Sequence, residues 1–145
     1  MKVSVLGLGY VGCVSAACLS NMGHSVIGLD VDPRKLEPLR TGRSPIVEPG
    51  LGELVQKGVA EGRLSVTEDY AKAVGESEIS LVCVGTPSTE SGNPNLDYTK
   101  RVLAEQGITK DNWHLHAHNT AIADPWADER GPEDPRATAD CVKKF

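Results

Sequence analysis

A short apolar run, Lys2 to Leu6, opens directly onto Gly7, Gly9 and Gly12 in the spacing GxGxxG, and this junction constrains the fold more than any other stretch. Glycines so spaced suit a strand that turns sharply into a helix. Gly7 permits the turn, Gly9 lets backbone approach a bulky anion with no side chain between, and Gly12 lets the helix pack close to the sheet. A small-residue helix, Cys13 to Met22, and a second apolar run, Ser25 to Leu29, are expected next, and that run stops on Asp30, eighteen residues beyond Gly12. The phosphates of a dinucleotide would meet the helix N-terminus, where unpaired N–H groups and the positive dipole end attract anions. The carboxylate of Asp30 would accept hydrogen bonds from ribose hydroxyls, which favours NAD over NADP because a 2′-phosphate would meet a like charge. A glycine triplet alone is weak evidence; strand, helix, second strand and terminal acid together make it specific. A secretory signal peptide is the rival reading, imitated by Lys2 and by the small residues Ala16, Ala17 and Cys18. Three glycines interrupt its apolar segment, which argues against it.

Composition narrows the function classes. The 145 residues suffice for one compact domain and not for two of ordinary size. A net charge of -5 argues against a nucleic-acid partner, whose footprint is normally basic. No run of about eighteen apolar residues exists, so no membrane span is expected. The four cysteines, Cys13, Cys18, Cys83 and Cys141, have no metal-ligand spacing and read as residues of a reduced, cytoplasmic protein. Cys13 follows Gly12 at a helix N-terminus, a placement that can lower a thiol pKa, although packing against the sheet is its expected role.

Beyond Asp30, a short helix is expected with Asp32 as N-cap and Pro33 at its first position, cut short by Pro38. A connector, Thr41 to Pro49, leads to a helix over Gly50 to Ala60 in which Leu51, Leu54 and Val55 share one face. Leu64 to Thr67 reads as a third strand, Asp69 to Val74 as a helix, and Ile79 to Val84 as a strand apolar enough to be buried on both faces. Asn95 to Gln106 reads as one more helix, with Leu96, Val102 and Leu103 toward the core and Gly107 closing it. The alternation specifies an α/β fold: a partial Rossmann-type, doubly wound parallel sheet with right-handed crossovers. Ligands of such sheets bind beyond the carboxyl ends of the strands, where Gly7, Gly9, Gly12, Asp30 and Thr86 fall.

The stretches VLGLGYVG, VIGLDVD, RSPIVEPGL, GRLSVTEDY and LVCVGTPS together resemble the N-terminal NAD-binding domain of the UDP-glucose/GDP-mannose dehydrogenase family, from about Met1 to Gly107. SPIVEPGL and VGTPS are not generic features of dinucleotide folds. SPIVEPGL with NLDYTKRVLAEQG is most similar to the GDP-mannose branch. The resemblance implies an NAD-dependent, four-electron oxidation of a nucleotide-sugar primary alcohol to a carboxylate with two NAD, in polysaccharide precursor synthesis, by a homodimer. It implies that Tyr10 and Val11 lie at the pyrophosphate turn, Asp30 at the ribose, Lys35 beside the adenosine and Thr86 at the fourth-strand edge facing the cofactor. Lys35 can also be read as a solvated helix charge, and with Arg34 it leaves room for a 2′-phosphate. Glu48, in the connector, is expected to serve structure, as in helix capping, rather than catalysis.

The family's catalytic half has no counterpart here, so no catalytic residue is assigned, and Cys141 occupies no matching context. A first unit is expected over 1–110 and a divergent, poorly ordered tail over 111–145, where the only Val, Ile, Leu or Met are Leu115, Ile122 and Val142. The abrupt change near residue 108 suggests a shifted reading frame over a natural short protein with its own tail. His114, His116 and His118 alternate as strand-borne metal ligands would, but no carboxylate or Cys completes a set, and solvation is expected instead. A regulatory NAD-sensing module fits the length, whereas the long connector with SPIVEPGL argues for the dehydrogenase pattern. A stand-alone hydroxy-acid dehydrogenase is disfavoured because no substrate domain fits.

Overall fold

A computed structural model describes residues 1–85, 87, 88, 90, 95, 97–105 and 107. In chain order these form β1 (Lys2–Leu6), α1 (Tyr10–Asn21), β2 (Ser25–Leu29), α2 (Pro33–Arg40), α3 (Leu51–Ala60), β3 (Leu64–Thr67), α4 (Tyr70–Gly75), β4 (Ile79–Val82) and α5 (Asp97–Glu105). The strands make one parallel sheet in the order β3-β2-β1-β4. The chain winds outward from β1 through β2 to β3, then returns to place β4 on the other side of β1. That reversal is the topological switch point beside which open α/β sheets bind ligands.

Alternation along β1 divides the core. Val3 and Val5 join Ala16 and Ala17 of α1, Leu36 and Leu39 of α2, and Leu51 and Val55 of α3 on one face. Leu6 joins Ile27 and Leu29 of β2, Ala73 of α4 and Val102 of α5 on the other. Helices on both faces of a parallel sheet define the doubly wound α/β class. Close approach of α1 to α3 depends on Gly58, where a Cβ would stand 2.6 Å from Ser20 Oγ. The buried Ser4 is satisfied across the β1/β4 pair, donating to Ser80 Oγ at 2.7 Å and accepting from Ser77 Oγ at 3.0 Å.

Three local expectations need correction. The helix after the glycine turn begins at Tyr10 rather than Cys13, because the exposed Tyr10 and Val11 have no apolar periodicity to announce it. Pro38 does not shorten α2, which runs two residues further. Leu39 is buried beyond it, and the Pro38 carbonyl accepts from the Thr41 and Arg43 N–H groups, so packing and a closed C-terminus outweigh one missing N–H. β4 is not buried on both faces: it ends at Val82, and Ile79 and Leu81 are 45% and 37% exposed. It pairs with β1, and among the described residues no strand lies along its other side. Elsewhere the caps expected at Asp32 and Gly107 hold, Asp32 accepting from the Arg34 N–H and Gly107, with φ +70°, donating to the Ala104 carbonyl, while Asp69, expected as a helical residue, is the N-cap of α4 and accepts from the Lys72 N–H. Leu96 and the segment 111–145 lie outside the described residues.

Candidate functional site

The glycine turn is built by exclusion of side chains. Gly7 adopts φ +96°, and a Cβ there would stand 2.9 Å from the Cys83 carbonyl oxygen. At Gly12 a Cβ would fall 1.9 Å from the Gly7 carbonyl oxygen, so α1 can start against the turn only without one. Gly9 differs: a Cβ would meet nothing within 4 Å, and the space over it is open. Gly9 is also the N-cap of α1, which has no side-chain cap and no acid in its first turn. The first intrahelical bond is Cys13 N–H to the Gly9 carbonyl, at 2.9 Å. The preceding N–H groups of Tyr10, Val11 and Gly12 have no intrahelical acceptor, and with the positive end of the helix dipole they suit a pyrophosphate.

Asp30 follows the last residue of β2 and is 7% exposed. Its Oδ2 accepts from the Leu8 N–H at 2.7 Å and from Lys35 Nζ at 2.7 Å, and its Oδ1 accepts from the Asp32 N–H at 2.9 Å. Burial opposes ionisation of this carboxyl. The Lys35 hydrogen bond, the Asp32 and Leu8 N–H groups and the Lys35 charge outweigh it, and hold Asp30 below the usual carboxylate range. Lys35 is thus a partner of Asp30 as well as a helix charge. With one donor on Oδ1, the acid keeps acceptor capacity for a ribose hydroxyl.

The remaining candidates divide. Tyr10 and Val11 are exposed on the first turn of α1. Hydrogen bonding to the Glu48 carboxylate, and its charge, raise the Tyr10 hydroxyl above its ordinary pKa. The expectation that Glu48 caps a helix is corrected in part: Gly50, at φ +77°, is the N-cap of α3, and Glu48 supplies only its backbone carbonyl, to the Leu51 N–H. Cys13 is no activated thiol. Burial pushes it up to about 11, Asp30 adding to and Lys35 opposing the shift, and its Sγ donates to the Leu8 carbonyl at 3.5 Å. Thr86, Cys141, His114, His116 and His118 lie outside the described residues. Among the described residues no three His, Cys, Asp or Glu side chains gather as metal ligands, and no helix is long and apolar enough to cross a membrane.

Two contributors were missed in the sequence. Leu8, the variable position between Gly7 and Gly9, buries its side chain over Gly28, where a Cβ would stand 2.9 Å from Leu8 Cδ2, while its N–H grips Asp30. Glycine inside β2 was the available signal, since it marks a close approach. Asp32, beyond capping α2, binds Arg34 through both carboxylate oxygens, with Nε to Oδ1 at 3.0 Å and Nη2 to Oδ2 at 2.8 Å.

A glycine cradle at a switch point, an uncapped helix N-terminus and a buried acid at the end of the neighbouring strand define a dinucleotide-binding α/β domain. Residues 1–113 match the UDP-glucose/GDP-mannose dehydrogenase family, NAD binding domain, and the chain belongs to that family of NAD-dependent oxidoreductases. It is 50% identical over 117 residues to the GDP-mannose 6-dehydrogenase of Pseudomonas savastanoi pv. phaseolicola, covering 80% of this chain and 27% of that protein. The UDP-glucose 6-dehydrogenase TuaD of Bacillus subtilis is 42% identical over 121 residues, 83% of this chain and 25% of that one. In solved structures, a ternary complex of GDP-mannose dehydrogenase from Pseudomonas aeruginosa superposes with a TM-score of 0.72 at 52% identity, covering 74% of this chain and 24% of its own. The chain therefore spans about a quarter of the length of these relatives.

Proposed function

We propose that this domain grips the adenosine and pyrophosphate of NAD for a nucleotide-sugar dehydrogenase that oxidises a sugar 6-hydroxyl to a carboxylate. The observation that carries this is the buried, ionised Asp30 pinned by the Leu8 N–H of the glycine turn, which joins ribose and phosphate subsites in one rigid unit. Gly7, Gly9 and Gly12 shape the pyrophosphate turn, Tyr10 and Val11 flank it, Lys35 orients Asp30, and Thr86 is assigned to the cofactor by family resemblance. When bound, NAD accepts hydride, two molecules in turn taking the four electrons released as a primary alcohol and water become a carboxylate. Higher identity to GDP-mannose 6-dehydrogenases than to UDP-glucose 6-dehydrogenases favours GDP-mannose over UDP-glucose as the substrate of the complete enzyme. A cytoplasmic homodimer is the corresponding assembly.

No catalytic residue is assigned among these 145 residues, and the chain alone should not turn over either nucleotide sugar. Titration calorimetry tests the cofactor reading: the folded chain should bind NAD weakly, and Asp30→Ala should weaken binding further. Folded protein that takes up no NAD would overturn the reading, as would undiminished binding in the variant. NADH formation by the isolated chain with GDP-mannose would overturn the division of labour.

A further inference from the structure

The first turn of α2 carries two basic side chains, Arg34 and Lys35, beside the acid assigned to the ribose. Free cations at this place would welcome a 2′-phosphate. Neither is free. Lys35 Nζ is held by Asp30 Oδ2 at 2.7 Å, and the Arg34 guanidinium lies along the Asp32 carboxylate in a two-point contact. Asp32 is itself placed by the site, because its N–H donates to Asp30 Oδ1 at 2.9 Å. Its Oδ1 also takes the Arg34 N–H at 3.0 Å, so one carboxylate closes the N-terminus of α2 and occupies its nearest guanidinium. The Arg34 side chain is 88% exposed, so nothing but Asp32 restrains it among the contacts described.

Resting on the NAD reading above, we propose that Asp32 is a specificity-determining residue for the cofactor, excluding NADP by withholding Arg34 from the 2′-phosphate. Asp30 alone opposes the phosphate through its charge. Asp32 adds a second negative charge and removes the cation that would offset both. Discrimination thus rests on two acid–base pairs nested within residues 30–35, not on one acid at the end of β2.

The test is calorimetric titration of NAD and of NADP into the full chain, wild type, Asp32→Ser, Arg34→Ala and Asp32→Ser/Arg34→Ala, each shown folded by circular dichroism. Serine keeps an N-cap oxygen and releases Arg34. Asp32→Ser should raise the affinity for NADP relative to that for NAD about 3- to 10-fold, the scale on which an exposed ion pair is exchanged for a phosphate contact. Adding Arg34→Ala should abolish the gain. NAD binding with no gain for NADP in Asp32→Ser overturns the role of Asp32. A gain that persists in the double variant overturns the part given to Arg34. Failure of the folded wild type to bind NAD overturns the cofactor reading itself, so the two failures are told apart.

Discussion

Two acid–base pairs sit side by side where β2 meets α2, and they differ in almost everything but distance. Asp30 and Lys35 meet at 2.7 Å, Asp32 and Arg34 at 2.8 Å. Asp30 is sheltered, with two backbone N–H groups as further partners, whereas Arg34 stands in solvent. Both carboxyls are held low, for different reasons. At Asp32 the Arg34 hydrogen bonds dominate and pull it to about 2. At Asp30 burial is the largest influence and pushes the opposite way, and the Lys35 and N–H contacts together outweigh it. A low carboxyl pKa is therefore no measure of what a pair does for the fold. The exposed pair is screened and replaceable, while the sheltered acid would be left costly if its partners moved.

The turn that supplies the Leu8 N–H is the strongest place to break this contrast. In Gly12→Ala the new methyl would collide with the Gly7 carbonyl, and the shift that relieves it moves the backbone that grips Asp30. A loss of about 3 kcal/mol in urea unfolding is expected, together with loss of NAD binding. Wild-type stability in this variant would mean that the turn relaxes freely and does not fix the acid. Asp30→Ala comes next. It strands the Leu8 N–H and leaves Lys35 without its partner, and about 2 kcal/mol should be lost, less than a fully buried pair would cost because Lys35 keeps about a third of its exposure. A change below about 0.5 kcal/mol would place Asp30 in the same class as Asp32.

Much of this arrangement was legible in the residues. β1, β2 and β3 have the bounds that their apolar runs indicate, because glycines and polar turns bracket each run. Asp32 with Pro33, and Asp69, announce their helices by chemistry that is purely local. What stayed hidden depends on neighbours distant in sequence. Ile79 and Leu81 read as core, but a strand's burial depends on what lies beside and over it. Leu8 stands at a motif position that any residue can fill, and its function comes from Gly28 on the adjacent strand. The Asp32–Arg34 pair has the spacing i,i+2, which does not bring side chains together along a helix face; it forms because Asp32 is the non-helical cap. The motif marked the ligand's place, and contacts between elements decide how each group there is charged and held.

The sheltered pair should also be visible in acid. The carboxyl of Asp30 is lower in the folded chain than the value near 3.9 typical of an unfolded one, so its contribution is complete above that value and is lost as pH falls through the folded pKa. The stability difference between wild type and Asp30→Asn, measured by urea unfolding at a series of pH values, should be constant above about pH 5 and shrink steadily below about pH 4. A difference that persists undiminished near pH 2 would show that packing, not the charge, supplies it.

The smallest effect is expected at Arg34. Arg34→Ala removes every side-chain contact of the exposed pair but leaves the Asp32 carboxylate on the Arg34 N–H, so the cap of α2 survives. The thermal midpoint should coincide with that of wild type. If instead it falls as far as in Asp30→Ala, the exposed pair is structural, and Asp32 could not be relieved of Arg34 without loosening α2. A midpoint that stays put gives the two pairs separate roles. The inner one holds the ribose-facing acid in its ionised form, and the outer one is free to act on the choice of cofactor because the fold does not depend on it.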